Sequence, residues 1–193
     1  MLYLNAHLQA FTETDVEWLL ERQPAWRREQ ACRFRHLEGR RQSALAYEEL
    51  CRGLREEYGI EEAPAFEYNE HGKPSIVGHP EIYFNLSHCK EAAICVISDK
   101  PVGVDVESIR EFKDSLVNYT MNDEEKAEMA SSSNPASTFI RLWTMKEATS
   151  KLIGTGITND VKSLIDTTKY KYNTTEKESY IYTICSFSNG LQD

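Results

Sequence analysis

Three short β-rich segments, Ile82-Tyr-Phe-Asn-Leu-Ser, Ala92-Ala-Ile-Cys-Val-Ile and Val102-Gly-Val-Asp-Val-Glu, follow one another with only polar turns between them. This run constrains the fold more than any other feature. Segments of that length, rich in β-branched and aromatic residues and bounded by turn formers, read as strands, and they are expected to form the centre of the sheet. Around them the pattern is helical. From Pro24 to Tyr58 the residues Ala31, Phe34, Leu45, Tyr47, Leu50 and Leu54 recur near helical spacing, which predicts two helices, the second longer, with Gly39 as the break. Strands in a run, without a βαβ alternation, define an α+β chain with helices packed on antiparallel sheets.

The remaining elements follow from local signals. Residues 2–9 alternate as a strand does, and Thr14 with Glu17 gives a capping box for a short helix through Leu20. Phe66 to Pro74 reads as a strand running into a turn, with Gly72 supplying backbone freedom and Pro74 barring a helix. Asn122 is an N-cap for Asp-Glu-Glu-Lys, the polar stretch SSSNPAS separates that helix from another over Phe139 to Leu152, and Gly154-Thr-Gly156 ends it. Strands over 170–172 and 180–187 close the chain.

Composition narrows the function classes. The 193 residues suit one domain or two small ones sharing a core. Ten Tyr, seven Phe and three Trp provide the side chains a core needs. No apolar run reaches the ~18 residues of a membrane span, and the first residues lack a basic segment and a signal cleavage site, so a cytoplasmic protein without a membrane partner is expected. The five cysteines are odd in number and form no CxxC pair, which reads as reduced thiols. The net charge of −9 conceals an asymmetry: residues 22–41 carry seven Arg against two Glu, so this window is +5 and the rest −14. A local cationic patch on an acidic chain suits a small polyanion better than nucleic acid, although a solvated Arg-rich helix face would look the same.

Three clusters could carry chemistry. In Val102 to Glu107 the strand period puts Asp105 and Glu107 on one face and Val104 and Val106 on the other. Two carboxylates so placed raise each other's pKa unless a cation lies between them, and hard oxygen donors suit Mg²⁺; a polar strand face in water carries the same letters. In Trp143-Thr-Met-Lys146-Glu147-Ala148-Thr-Ser-Lys151, a helix sets Glu147 and Lys151 one turn apart, as in many surface pairs. Glu147 could add a third carboxylate to a metal site, with Lys151 beside a bound phosphate. The third cluster, Asn85-Leu-Ser87-His88-Cys89, offers a hydroxyl and an imidazole to an anion. Cys89 is a poor nucleophile candidate, because neighbours on a strand point apart and no ordering acid is evident.

Taken in order, GKP, FNLSH, GVDVE and WTMKEATSK running into GTG resemble the 4′-phosphopantetheinyl transferase superfamily, from about Arg33–Arg41 through Ile157. The length before GVDVE is similar to that of the larger Sfp-type subfamily. The resemblance implies two similar α+β halves forming an intramolecular pseudo-dimer, here an N-terminal half over 1–100 and a C-terminal half over 101–193 carrying the metal site, in a monomer. It implies transfer of 4′-phosphopantetheine from coenzyme A to a serine of an acyl or peptidyl carrier protein of fatty acid, polyketide or nonribosomal peptide biosynthesis, giving 3′,5′-ADP. By matching position, Asp105, Glu107 and Glu147 would hold Mg²⁺. Glu147 would help deprotonate the carrier serine, and Lys151 would serve the leaving-group side. Lys73, Ser87 and His88 would touch coenzyme A phosphates, and one or more of Arg33, Arg40 and Arg41 would face the 3′-phosphate. The segment from Phe112 to Met129 would meet the carrier. A metal-dependent phosphohydrolase using the same carboxylates, or a non-catalytic coenzyme A or carrier-binding module, are the alternatives.

Overall fold

The computed structural model describes residues 1–156 and 160–188, so Ile157 and the chain after Ser188 lie outside the described residues. The chain opens with β1 (Leu2–Asn5), a 3₁₀ turn at Leu8–Ala10, α1 (Glu13–Arg22), α2 (Ala25–Cys32) and the long α3 (Leu37–Tyr58). The hairpin β2 (Phe66–Tyr68) and β3 (Pro74–Ile76) leads to β4 (Tyr83–His88) and β5 (Ala93–Ser98). Then come β6 (Val102–Ser108), α4 (Asp114–Thr120), α5 (Asp123–Ser131), α6 (Pro135–Ile153), a 3₁₀ turn at Val161–Ser163, β7 (Tyr170–Glu176) and β8 (Tyr180–Phe187). The α+β class holds: every sheet is antiparallel. No helix among the described residues is long and apolar enough to cross a membrane.

Several boundaries differ from the sequence expectation for physical reasons. The first strand stops at Asn5, since Leu8 turns inward to the core from the 3₁₀ turn. The capping box is Thr12 with Asp15, one pair earlier than expected: Asp15 accepts from the Thr12 amide at 2.7 Å, and the Thr12 hydroxyl caps the Asp15 amide at 3.3 Å. Gly39 does not break the helix. The interruption falls between Cys32 and Leu37, and Gly39 lies inside α3 with the Phe34 ring so close that a Cβ would stand 2.6 Å from it.

The three β-rich segments do not share one sheet. One sheet has the order β1-β5-β4 and the other β6-β8-β7. In chain order each is a strand, one or more helices, and then two strands that place the last between the other two, so the two halves repeat one connectivity. The long helices α3 and α6 pack on the respective sheets. A single core joins them: Ile94 and Val96 of β5 pack with Val104 and Val106 of β6 and Tyr180 and Tyr182 of β8.

Where the edge strands β4 and β6 meet, side chains take the place of a backbone ladder. Asn85 Oδ1 accepts from the Val104 amide at 2.8 Å, and Ser87 Oγ accepts from the Val106 amide at 3.2 Å. The amides of Val104 and Val106 at the buried edge of β6 are thereby satisfied.

Candidate active site

The period of β6 determines which side chains reach the site. Val104 and Val106 are buried in the shared core, and Asp105 and Glu107 point to the opposite face, toward α6. Gly103 makes the approach possible. A Cβ there would lie 2.0 Å from the Ala148 carbonyl oxygen and 2.5 Å from the Leu152 nitrogen, both backbone atoms that cannot yield. Strand and helix therefore run in contact just where α6 carries Glu147 and Lys151 one turn apart.

Asp105 is 4% exposed and its Oδ1 is doubly occupied: Lys151 Nζ donates to it at 2.6 Å and Ser87 Oγ at 2.8 Å. Lys151 also donates to Ser87 Oγ at 3.0 Å. The other oxygen of Asp105, Oδ2, is buried with no hydrogen-bond partner among the described residues. A buried carboxylate oxygen left unpaired is costly, and a bound cation would relieve that cost.

The neighbouring carboxyls register the same deficit. Burial pushes the Glu147 carboxyl up to about 7, and repulsion from Asp105 and Glu107 adds to it while Lys151 pulls the other way. Burial, then Asp105, raises Glu107, partly offset by Arg110, whose guanidinium stands 3.9 Å away. Lys151 and the more distant Arg110 offset the three acids only in part.

These residues form one wall of a cavity of about 480 Å³, which Ser87, His88, Leu86 and Gly72 also line, with Arg27, Tyr47, Phe66 and Tyr68 opposite. A second cavity of about 220 Å³ continues from it along Glu147 and Lys151 to Lys73 and Gly154. His88 is held at about 4, chiefly by burial and then by Lys151 and Arg27, so its imidazole is neutral and can donate a single hydrogen bond.

The structure thus brings together Asp105, Glu107, Glu147, Lys151, Ser87 and His88. Lys73 lines the second cavity, its ammonium donating to the Leu152 carbonyl at 2.7 Å. Arg33, Arg40 and Arg41 stand apart from the larger cavity. Arg33 is exposed, Arg40 Nε donates to the Phe34 carbonyl at 3.0 Å, and Arg41 Nη1 to Gln9 Oε1 at 3.0 Å. Among the described residues, the arginine of this basic window that lines the larger cavity is Arg27, 5% exposed, bonded to the Ser43 carbonyl and, at 2.8 Å, to the Ser43 hydroxyl. Its guanidinium lies 5.2 Å from the centre of the Tyr47 ring. One signal could have found it: Arg27 and Ala31 are one helical turn apart, and Ala31 faces the core.

No group of three His, Cys, Asp or Glu side chains among the described residues is already arranged to grip a metal ion. The donor chemistry is nonetheless that of a hard divalent cation, since Asp105, Glu107 and Glu147 all offer carboxylate oxygens and one of these is orphaned.

Fold and site together define an α+β protein with two similarly connected three-stranded sheets and a cavity lined by a carboxylate triplet, a lysine and a buried arginine. Residues 101–187 match the family model described as the 4′-phosphopantetheinyl transferase superfamily. A 4′-phosphopantetheinyl transferase of Bacillus pumilus is 31% identical over 140 residues, 71% of this chain and 60% of its own length. One of Bacillus subtilis is 28% identical over 136 residues, 69% of this chain and 61% of its own. One of Aneurinibacillus migulanus is 37% identical over 94 residues, 48% and 39% of the two chains. The chain therefore spans between 39% and 61% of the length of these relatives.

Proposed function

We propose that this chain transfers the 4′-phosphopantetheinyl group of coenzyme A to a serine of an acyl or peptidyl carrier protein and releases 3′,5′-ADP. The carrier serine oxygen forms a bond to the phosphorus that bears pantetheine, the bond to the ADP oxygen breaks, and the serine proton passes to a base. The observation that carries this reading is the partly compensated acid cluster, with the buried Asp105 Oδ2 at its centre, on the wall of a cavity that also presents cations.

Asp105, Glu107 and Glu147 would hold Mg²⁺, which when bound neutralises charge on the phosphate oxygens. Phosphoryl transfer gains most from positioning and charge neutralisation, and the remaining parts fit that demand. Lys151 lies beside the acids and offers a positive charge to the departing oxygen. Glu147, one helical turn from Lys151 on the cavity wall, would take the serine proton. Ser87 and His88 present a hydroxyl and an imidazole to the phosphates, and Lys73 adds a cation at the second cavity. Arg27, buried and lining the cavity, suits a terminal phosphate better than Arg33, Arg40 or Arg41.

The carrier's place is the segment after β6. A groove of about 510 Å³ lined by Phe112, Leu116, Tyr119 and Trp143 opens beside Arg110, whose partner Glu107 belongs to the acid cluster. Arg110 and Lys113, against the single Glu111, give its lining a positive balance that favours an acidic partner. The acidic Asp123-Glu124-Glu125 forms the first turn of α5, and Glu125 turns inward to Lys146 at 2.7 Å.

Intact-protein mass spectrometry of an apo carrier incubated with this chain, coenzyme A and Mg²⁺, with EDTA as control, tests the reading. A metal-dependent gain of one phosphopantetheine is expected. Release of phosphopantetheine to water without any carrier would make the chain a phosphohydrolase. Coenzyme A binding with no transfer to several apo carriers would make it a binding module.

A further inference from the structure

The two halves are fastened at a second place, beside the β4–β6 seam, whose Asn85 lines the same small cavity. The turn of the β2–β3 hairpin belongs to the N-terminal half, and α6, which carries Glu147 and Lys151, belongs to the C-terminal half. Asn69 reaches both. Its Oδ1 accepts from the His71 amide at 3.0 Å and from the Lys73 amide at 2.8 Å, which fixes the turn that Gly72 completes at φ 84°. Its Nδ2 donates to the Gly154 carbonyl at 3.1 Å, 85 residues away.

The receiving end is shaped for this contact. Gly154 ends α6 at φ 80°, and a Cβ there would meet Lys73 Cδ at 2.7 Å and Asn69 Nδ2 at 3.2 Å. The carbonyls of a final helical turn have no partner within the helix. Here Asn69 and Lys73 supply two of those partners, at Gly154 and Leu152. The smaller cavity lies between these two elements, with Gly72, Lys73 and Pro74 on one side and Glu147, Ser150 and Lys151 on the other.

We infer that Asn69 is a positioning residue: its carboxamide ties the hairpin turn to the end of α6 and so sets the width of the gap in which the ligand lies against Glu147 and Lys151. The inference rests on the proposed coenzyme A chemistry for the identity of that ligand. One carboxamide does two separable jobs. An aspartate at this position keeps the acceptor that organises the turn and loses the donor that holds Gly154.

The test compares wild type, Asn69→Asp and Asn69→Ala by calorimetric titration with coenzyme A and by steady-state transfer to an apo carrier, with thermal unfolding as the control for folding. Asn69→Asp is expected to unfold within a few degrees of wild type, to bind coenzyme A about tenfold more weakly and to raise its KM in step, while KM for the carrier stays put. Asn69→Ala, which loses both jobs, is expected to be weaker still. Wild-type affinity in Asn69→Asp overturns the inference, as does a parallel rise of both KM values. If wild type binds coenzyme A but transfers nothing, the proposed function fails and the affinities alone still decide the role of Asn69. If wild type does not bind coenzyme A, both readings fall.

Discussion

The long helices α3 and α6 lie on sheets of the same connectivity but meet them with different chemistry. The buried face of α3 is chiefly apolar, with Leu45, Leu50 and Leu54 fully inside and little polar company beyond Ser43 and Glu49. The buried face of α6 mixes Phe139, Ile140 and Leu152 with Thr144, Lys146, Thr149 and Ser150. Thr144 bonds Thr183 of β8 at 2.9 Å, Thr149 bonds Tyr172 of β7 at 2.9 Å, and Lys146 pairs with Glu125 while donating to the Val161 carbonyl at 3.0 Å. Apolar contacts tolerate small slips, whereas hydrogen bonds have directions. Polar bonds fix the helix of the acid-bearing half against its own sheet, whereas those that reach α3 come chiefly from the α1–α2 segment, through Gln23 and Arg27.

That contrast can be broken by substitution, and the largest effect falls on activity. Glu147→Gln is expected to lower kcat by about 10²–10⁴-fold with folding intact, read by transfer kinetics and circular dichroism. Wild-type turnover would remove Glu147 from the proton-transfer role.

Lys146→Met should cost about 3–5 kcal/mol in urea unfolding, because Glu125 is left charged and buried. Combining it with Glu125→Leu should restore much of that loss, since two apolar side chains leave no orphan charge. If the single change costs under about 1 kcal/mol, α6 is not held by its polar face and the contrast with α3 fails.

A pair of glycines sharpens the comparison. Gly103→Ala drives a methyl into the backbone of α6 and should cost about 3 kcal/mol. Gly53→Ala on α3 meets only the Ile97 Cδ1 and the Tyr3 ring, which can shift, and it gains helix propensity, so about 1 kcal/mol is expected. Equal costs would mean that both halves are equally rigid at the helix–sheet contact.

The smallest effect is a pH dependence. His88 ordinarily titrates near 6.5 and is held at about 4 in the folded chain by burial, Lys151 and Arg27, against a weaker pull from Asp105. The unfolded chain binds the extra proton first, so stability is full above about pH 6.5 and falls as pH drops through 4. His88→Gln should flatten that acid limb in urea unfolding at a series of pH values; an unchanged limb would assign it to other groups.

Much of the site was legible because it is local. The alternation of Val102 to Glu107 and the four-residue spacing of Glu147 and Lys151 each fix a face, and the β6–α6 contact brings those faces together. What was not legible depends on partners remote in sequence. Nothing near Asn69 or Asn85 announces that one holds a carbonyl 85 residues on and the other an amide 19 residues on. The burial of Lys146 depends on Glu125 and on carbonyls of a turn beyond α6. Arg27 is one of seven arginines in its window, and beyond its spacing from Ala31 it is the packing of α2 on α3 that distinguishes it from Arg33, Arg40 and Arg41. The split of the central strands into two sheets is hidden in the sequence for a similar reason: a strand's letters do not say which edge it joins.

The tie between the hairpin turn and the end of α6 also bears on the order in which the molecule assembles. Lys73 and Asn69 leave the ribosome about 80 residues before the carbonyls they hold. The first half can therefore stand as a template when α6 is made, and the last turn of that helix, with Lys151 on it, is completed against a surface already in place. A chain begun after residue 76 would carry every member of the acid cluster but lack the two side chains that finish the helix bearing Glu147 and Lys151.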